Sequence, residues 1–263
     1  MMTVLTMSLP VSILIPCFNA SPHLADCLYS AVKQDAAEII LLDDASTDDS
    51  LAIARSFPEV TIKTHSTNQG VQRCRNELFS LSTQPWIQYL DADDALNEGK
   101  IRHQIDLATD ADDVLYCDFT IERWLIDTIK IDTWYTGTQP FLRNLARWEN
   151  LCQTNAFLFR REALELAQWN ISPTYEPGHH EHKLCLDLLK AGATFKHTPI
   201  IGYTYRRGWH DGQITAQKLA ARLQGRAALL GEMEAWLSED YPGQYDEDIA
   251  LGRRKLEAAI ARA

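Results

Sequence analysis

The sequence predicts an α/β protein built on a mostly parallel, mixed sheet flanked by helices, with a helical extension at its C-terminal end. Three observations carry that prediction. Short apolar, β-branched runs such as VSILIPCF (Val11 to Phe18) alternate with amphipathic helical segments over the first third of the chain. The connections between them are short, as right-handed βαβ units require. The polar residues Asn19, Asp43 with Asp44, Asn68, and Asp91 with Asp93 fall just after the strands, at the carboxyl ends where open α/β sheets bind ligands.

Taken in order, VSILIPCF reads as a strand buried on both faces. Ser21-Pro22 then reads as a helix cap with proline at the first helical position, and Leu24, Cys27, Leu28, Ala31 and Val32 follow at helical spacing. The unit repeats: EIILLDD (Glu38 to Asp44) is a strand, STDDSLAIARSF a capped helix and VTIKTHS (Val60 to Ser66) a strand. GVQRCRNELFSL is a helix with Val71, Cys74, Leu78 and Phe79 on one face, and WIQYL is the next strand. From Asp113 to about Tyr135 the alternation in VLYCDFTIE and IKIDTWY predicts an antiparallel hairpin packed onto the sheet edge. FLRNLARW is a short helix, NAFLFRREALELAQW a strand turning into a helix, and HEHKLCLDLLKAG an amphipathic helix ended by Gly192. TFKHTPIIGYTYR is a strand, and Gln213 to Ala263 reads as two helices separated by the YPGQY turn.

A chain of 263 residues with 46% hydrophobic and 23% charged residues is an ordinary globular protein able to bury a sizeable core. A net charge of -11 argues against a general nucleic-acid binder, which presents a basic surface to phosphates. Cys17, Cys27, Cys74, Cys117, Cys152 and Cys185 lack CxxC or other metal-ligand spacing and read as buried, reduced thiols. The N-terminal residues lack a basic region ahead of their apolar run, so no signal peptide is assigned. No apolar stretch approaches the roughly 20 residues of a spanning helix. The expectation is a cytoplasmic protein, with peripheral association at the inner face of the cell membrane left open.

The stretch WIQYLDADDAL ends an apolar strand in three closely spaced carboxylates, Asp91, Asp93 and Asp94. Like charges this close resist burial unless a cation or hydrogen-bond donors offset them. Something positive is expected there.

VSILIPCFN, EIILLDDASTDDS, NQGVQRCRN and YLDADDAL, in this order and at these separations, resemble the nucleotide-sugar half of the inverting, GT-A fold glycosyltransferases of the bacterial family 2 type. The likeness runs from about Val11 to about Gln213. It implies a GT-A domain over residues 1–212, with a nucleotide-sugar half at 11–96 and an acceptor half at 97–212, and a helical extension at 213–263. By the resemblance, Asp44 with Asp43 beside it accepts a hydrogen bond from a uracil-like base. Phe18, where the family usually has tyrosine, stacks on that base, and Pro16 and Asn19 belong to the same nucleotide-binding loop. Asp91-Ala92-Asp93 resembles the DxD motif, with Asp93 the direct ligand of Mn²⁺ or Mg²⁺, Asp91 on the ribose or the metal, and Asp94 supporting. Arg75 sits where the family places an arginine near the diphosphate, with Arg73 as the competing candidate. His210 resembles a histidine that completes the metal shell, and Glu181 falls on the catalytic base.

Plainer readings stand beside these: an acidic helix cap in LLDDASTDD, solvated loop acids in DADD, surface arginines and a structural histidine. In GHHEH (Gly178 to His182) a histidine and Glu181 replace the usual acid pair. Neighbours in sequence cannot all face one ion and HExxH spacing is absent, so base or acceptor work is preferred there to zinc. The function implied is an inverting, metal-dependent glycosyltransferase. It moves a sugar from a UDP-sugar, or another nucleotide-activated sugar, to a glycan or lipid-linked acceptor in surface polysaccharide biosynthesis. The alternatives are a catalytically degenerate nucleotide-sugar-binding protein and a sugar nucleotidyltransferase. The latter, like a dinucleotide dehydrogenase, is disfavoured because PCFNASPHL contains no glycine.

Overall fold

Strand β1 (Leu9–Cys17) is buried at nearly every position, and β2 (Ala36–Asp43) and β4 (Trp86–Tyr89) pair with its two edges in parallel. That places β1 inside the sheet with both faces covered, which is why its sequence is a nearly continuous apolar run instead of an alternating one. In the computed structural model, which describes residues 8–125, 128–137, 139–149, 151–175, 178–207 and 219–262, β3 (Thr61–Thr64) adds to β2 in parallel. The crossovers carry α1 (Leu24–Val32), α2 (Ser50–Ala54) and α3 (Val71–Leu81). After β5 (Ala95–Leu96) and α4 (Lys100–Leu107), the sheet continues through β6 (Val114–Leu125), β7 (Thr128–Trp134), β8 (Phe157–Arg160) and β9 (Phe195–Arg207), in the order β3-β2-β1-β4-β8-β6-β9-β5. The β4·β8, β8·β6 and β9·β5 pairings are antiparallel and β6·β9 is parallel, so the sheet is parallel in its first half and mixed in its second.

Two expectations need correction. The hairpin of β6 and β7 is antiparallel as predicted, but β6 is not at the sheet edge: it lies between β8 and β9, and only β7 hangs beside it. Val114, Leu115, Tyr116 and Cys117 are all buried, the mark of an interior strand, and the polar alternation belongs to the part beyond them. The first helix starts at Leu24 with His23 at its cap, not at Ser21. The amides of Asn19, Ala20 and Ser21 are committed elsewhere, donating to Ser46 Oγ, Ser50 Oγ and Asp48 Oδ2 at 3.0, 2.9 and 3.0 Å. The loops after β1 and β2 are thereby fastened together.

That fastening bends the chain sharply after β2, where Ala45 has φ +63°. A left-handed alanine crowds its Cβ against the carbonyl, and glycine would relieve this while costing some unfolded-state entropy. Ala45→Gly is therefore expected to raise unfolding stability by about 0.5 to 1 kcal/mol in urea titration without changing ligand affinity.

One apolar core fills the space around the sheet. A second, smaller one joins α5 (Phe141–Arg147), α7 (His180–Lys190), α8 (Leu219–Asp240) and α9 (Asp246–Ile260) through Leu145, Leu186, Leu230, Met233 and Ile249. Helix α6 (Arg161–Leu166) follows β8. At Gly252 a Cβ would lie 2.2 Å from the Ala146 carbonyl oxygen, so α9 sits directly on the backbone of α5. The C-terminal helices thus share a core with α5 and α7. All six cysteines are buried and free, as expected, and among the described residues no helix is long and apolar enough to cross a membrane.

Candidate active site

The carboxyl ends of β1, β2 and β4 bring the sequence-predicted residues to one rim. Asp43 closes β2, accepts the Ser46 amide on Oδ2 at 3.2 Å, and keeps Oδ1 buried with no hydrogen-bond partner. A buried carboxylate oxygen left unpaired is costly, and it is a ready acceptor for a ligand N–H. Asp44, its neighbour, is used up. It accepts the Gln69 amide at 2.9 Å, the Gly70 amide at 2.8 Å and His65 Nδ1 at 2.7 Å. Asp44 is thus a latch that seats the loop before α3, where Gly70 adopts φ +89°.

His65 bridges Asp44 to Glu77, whose Oε2 lies 2.9 Å from Nε2. The bond to Asp44 leads in raising the imidazole pKa, because a carboxylate on each ring nitrogen favours the charged form. Asp44, His65 and Cys74 form a group with metal-competent atoms close together among the described residues. The Asp44 lone pairs are filled by N–H donors, so the group reads as a hydrogen-bonded latch.

Phe18 stands at the mouth of this rim with 49% of its surface exposed, an aromatic face open to a flat partner. Pro16 is buried within β1, and Asn19, at φ +48°, accepts the Thr47 amide on Oδ1 at 2.8 Å. Both shape the loop from which Phe18 projects.

The three acids after β4 are each dealt with differently. Asp91 Oδ1 pairs with Arg75 Nη2 at 2.5 Å, and the buried Arg75 guanidinium lies 4.3 Å from the Trp169 ring centre. Asp94 is 1% exposed, and burial pushes its carboxyl well up, with Asp93 and Asp91 adding to the shift. It is held by the Arg206 amide at 2.8 Å and by Asn155 Nδ2. Asn155 Oδ1 meanwhile accepts the Asp91 amide at 2.8 Å, so one buried side chain fixes both ends of the DADD loop. Asp93 remains half-exposed. Asp93 and Asp91 carry hard oxygen donors, the type that Mg²⁺ and Mn²⁺ take, so the donor chemistry fits such an ion.

Arg73 is exposed on α3, whereas Arg75 is buried and paired with Asp91. Glu181 occupies the first turn of α7, half-buried, and burial raises its carboxyl pKa. The charge of Arg75 works against that rise and the charge of Asp91 adds to it, so all three belong to one electrostatic neighbourhood. His179, His180 and His182 are buried and lowered to about 4, with burial the leading cause. They are neutral, and no metal-competent group among the described residues includes them. His210 lies outside the described residues. Asn155, Trp169 and Arg206 were not anticipated from sequence.

The sequence model described as Glycosyl transferase family 2 matches residues 12–166. SunS, the SPbeta prophage-derived glycosyltransferase of Bacillus subtilis (strain 168), is 40% identical over 88 residues, 32% of this chain and 21% of SunS. The succinoglycan biosynthesis protein ExoU of Rhizobium meliloti (strain 1021) is 35% identical over 96 residues, 35% of this chain and 28% of ExoU. The matches therefore span under a third of these relatives' own length. Among solved structures, S. aureus TarS superposes with a TM-score of 0.65 at 16% identity, covering 92% of this chain and 70% of that one. The mannosyltransferase PcManGT from Pyrobaculum calidifontis, in complex with GDP-Man and Mn²⁺, gives 0.63 at 16% identity, covering 98% and 77%. At such identities the likeness speaks for the fold, and the GT-A expectation is met. The family model, by contrast, spans more than half of the chain, including β2, which ends in Asp43, and β4, which leads to Asp91, and on that ground the chain belongs to glycosyl transferase family 2.

Proposed function

We propose that the chain is an inverting glycosyltransferase that moves a sugar from a UDP-sugar, or another nucleotide-sugar, to a hydroxyl of a glycan or lipid-linked acceptor in surface polysaccharide assembly. The observation that carries the reading is the gathering of Asp43, Asp93 and the Arg75–Asp91 pair at the carboxyl ends of β2 and β4, with Glu181 near enough for the charges of Arg75 and Asp91 to act on its carboxyl. The nucleotide complexes of TarS with UDP-GlcNAc and of PcManGT with GDP-Man, and the role named for ExoU, support the donor and pathway classes.

In this reading Asp43 Oδ1 accepts the base N–H and Phe18 stacks on the ring. Asp44 acts one step back, holding the loop before α3 in place. Asp93 and Asp91 hold Mn²⁺ or Mg²⁺, which when bound supplies charge stabilisation to the leaving diphosphate. Arg75 keeps Asp91 oriented and adds positive potential beside the same phosphates. The acceptor oxygen bonds to the anomeric carbon as the bond from that carbon to the diphosphate oxygen breaks, and Glu181 takes the hydroxyl proton. A lipid-linked acceptor would be met at the inner face of the cell membrane.

The test is calorimetric titration of UDP, GDP, CDP and dTDP with and without Mn²⁺, on the wild type and on Asp93→Ala. One nucleotide should bind only with Mn²⁺, and Asp93→Ala should weaken it by at least roughly tenfold. A wild-type chain that binds none of the four under either condition would overturn the proposal.

A further inference from the structure

Helix α8 closes on the first turn of α7 with no slack. A Cβ at Gly225 would lie 2.9 Å from His179 Cδ2 and 2.9 Å from the Thr174 carbonyl oxygen. His179 is the N-cap of α7, yet its side chain does not cap its own helix. It is turned outward, and Nε2 lies 2.7 Å from the Arg222 carbonyl oxygen of α8. The partner is a carbonyl, so Nε2 carries the proton and donates, while Nδ1 is buried with no hydrogen-bond partner. Burial keeps the ring neutral, with its pKa lowered to about 4, so the donor is constant across the working pH range.

A second contact reinforces the first. Trp148, left-handed at the C-cap of α5 (φ +55°), sets its ring 5.3 Å from His179 and 5.2 Å from His182, and the Arg226 guanidinium of α8 lies 4.6 Å from the same indole. One turn further on, Glu232 of α8 accepts the Lys183 ammonium at 3.1 Å and the Tyr175 hydroxyl at 3.1 Å. An N-terminal turn ordinarily held by its own Ser, Thr or Asp cap is here held by another helix.

We propose that α8 is the positioning element for Glu181, with His179 as the positioning residue: the Arg222 carbonyl and the Arg226–Trp148 stack fix the first turn of α7, and so the direction in which it presents its carboxylate. This rests on Glu181 being the base. Misplacing a reacting group by about 1 Å costs on the order of 100-fold in rate, which is why so tight a contact has a use here.

The experiment compares His179→Phe, which keeps a ring but removes the donor, His179→Gln, which keeps an N–H at similar reach, and Gly225→Ala, which wedges α8 outward. Sugar-transfer kcat, UDP affinity with Mn²⁺ and amide exchange over residues 178–184 are measured on each. Expected are a roughly 10- to 100-fold loss of kcat in His179→Phe and Gly225→Ala, UDP affinity within about twofold of wild type, and recovery of most of the loss in His179→Gln. Amide exchange in the first turn of α7 should accelerate by about tenfold or more in the two impaired variants. Wild-type kcat in both, an equal loss of UDP affinity, or a glutamine variant no better than phenylalanine would each overturn the proposal. The exchange readout needs no turnover: a wild-type chain without transfer activity would sink the base assignment, and unchanged exchange in His179→Phe would sink the role of α8.

Discussion

Replacing Glu181 by glutamine should lower sugar-transfer kcat by roughly 10² to 10⁴-fold while leaving Mn²⁺-dependent nucleotide affinity within about twofold. Glutamine fills the same space and cannot accept the proton. Burial raises the Glu181 carboxyl pKa, Arg75 pulls it down, and Asp91 pushes it up again. The net shift is upward, towards the working pH, where a carboxylate is a better base. The wild-type rate should therefore rise with pH as Glu181 loses its proton, with a midpoint above the ordinary glutamate range, and this acid limb should vanish in Glu181→Gln. The same shift has a stability consequence of opposite sense. The folded state holds the proton more tightly than the unfolded state, so raising the pH from the unfolded to the folded pKa costs stability. Glu181→Gln should remove that cost. A variant with wild-type kcat and an intact acid limb would withdraw the base role from Glu181.

Asn155→Leu should have the largest effect on stability. The side chain is fully buried and uses both its amide ends, one on the Asp91 amide and one on the Asp94 carboxylate. Leucine fills the volume but leaves a buried N–H and a buried carboxyl short of partners, at a cost of about 2 to 4 kcal/mol. Urea unfolding should show that loss as a lower midpoint at unchanged slope. Because the DADD loop hangs between those two bonds, Mn²⁺-dependent nucleotide binding should fall with it, by on the order of tenfold or more. Stability within about 0.5 kcal/mol of wild type, together with normal affinity, would show that the Asn155 bridge is dispensable.

The parallel half of the fold was legible because strands covered on both faces carry continuous apolar runs, as VSILIPCF and the IILL of EIILLDD do. The place of β6 was not, since its inner part and its outer part obey different rules within one strand. At the site, the order of acids placed them at the carboxyl ends of neighbouring strands, where the structure has them, but the difference in hydrogen bonding between Asp43 and Asp44 was hidden. Residues adjacent at a strand end face different neighbours, and only the position of the Gln69 and Gly70 amides shows which carboxylate is already occupied. Asn155 lies 64 residues from Asp91, and Trp169 and Asn76, which exchange hydrogen bonds at 2.9 and 3.0 Å, are 93 residues apart. Such pairings leave no local pattern. The sequence already disfavoured a metal cluster in GHHEH, but the neutrality of its buried histidines follows from burial, which no run of letters displays.

The interior position of β6 also sets the order in which the molecule is assembled. The strands β1 to β4 complete their parallel pairings from a continuous stretch of chain, and that half can form early. Strand β6 has only the β7 hairpin near it in sequence. Its first residues wait for β8, and Val114 pairs with Phe195, about 80 residues later. At roughly 5 to 20 residues per second of synthesis, the apolar run Val114 to Cys117 stays uncovered for about 4 to 16 seconds on the ribosome. Nascent chains of this protein are thus most exposed to aggregation and chaperone capture in that interval, and the closing of β9 against β6 is what ends it.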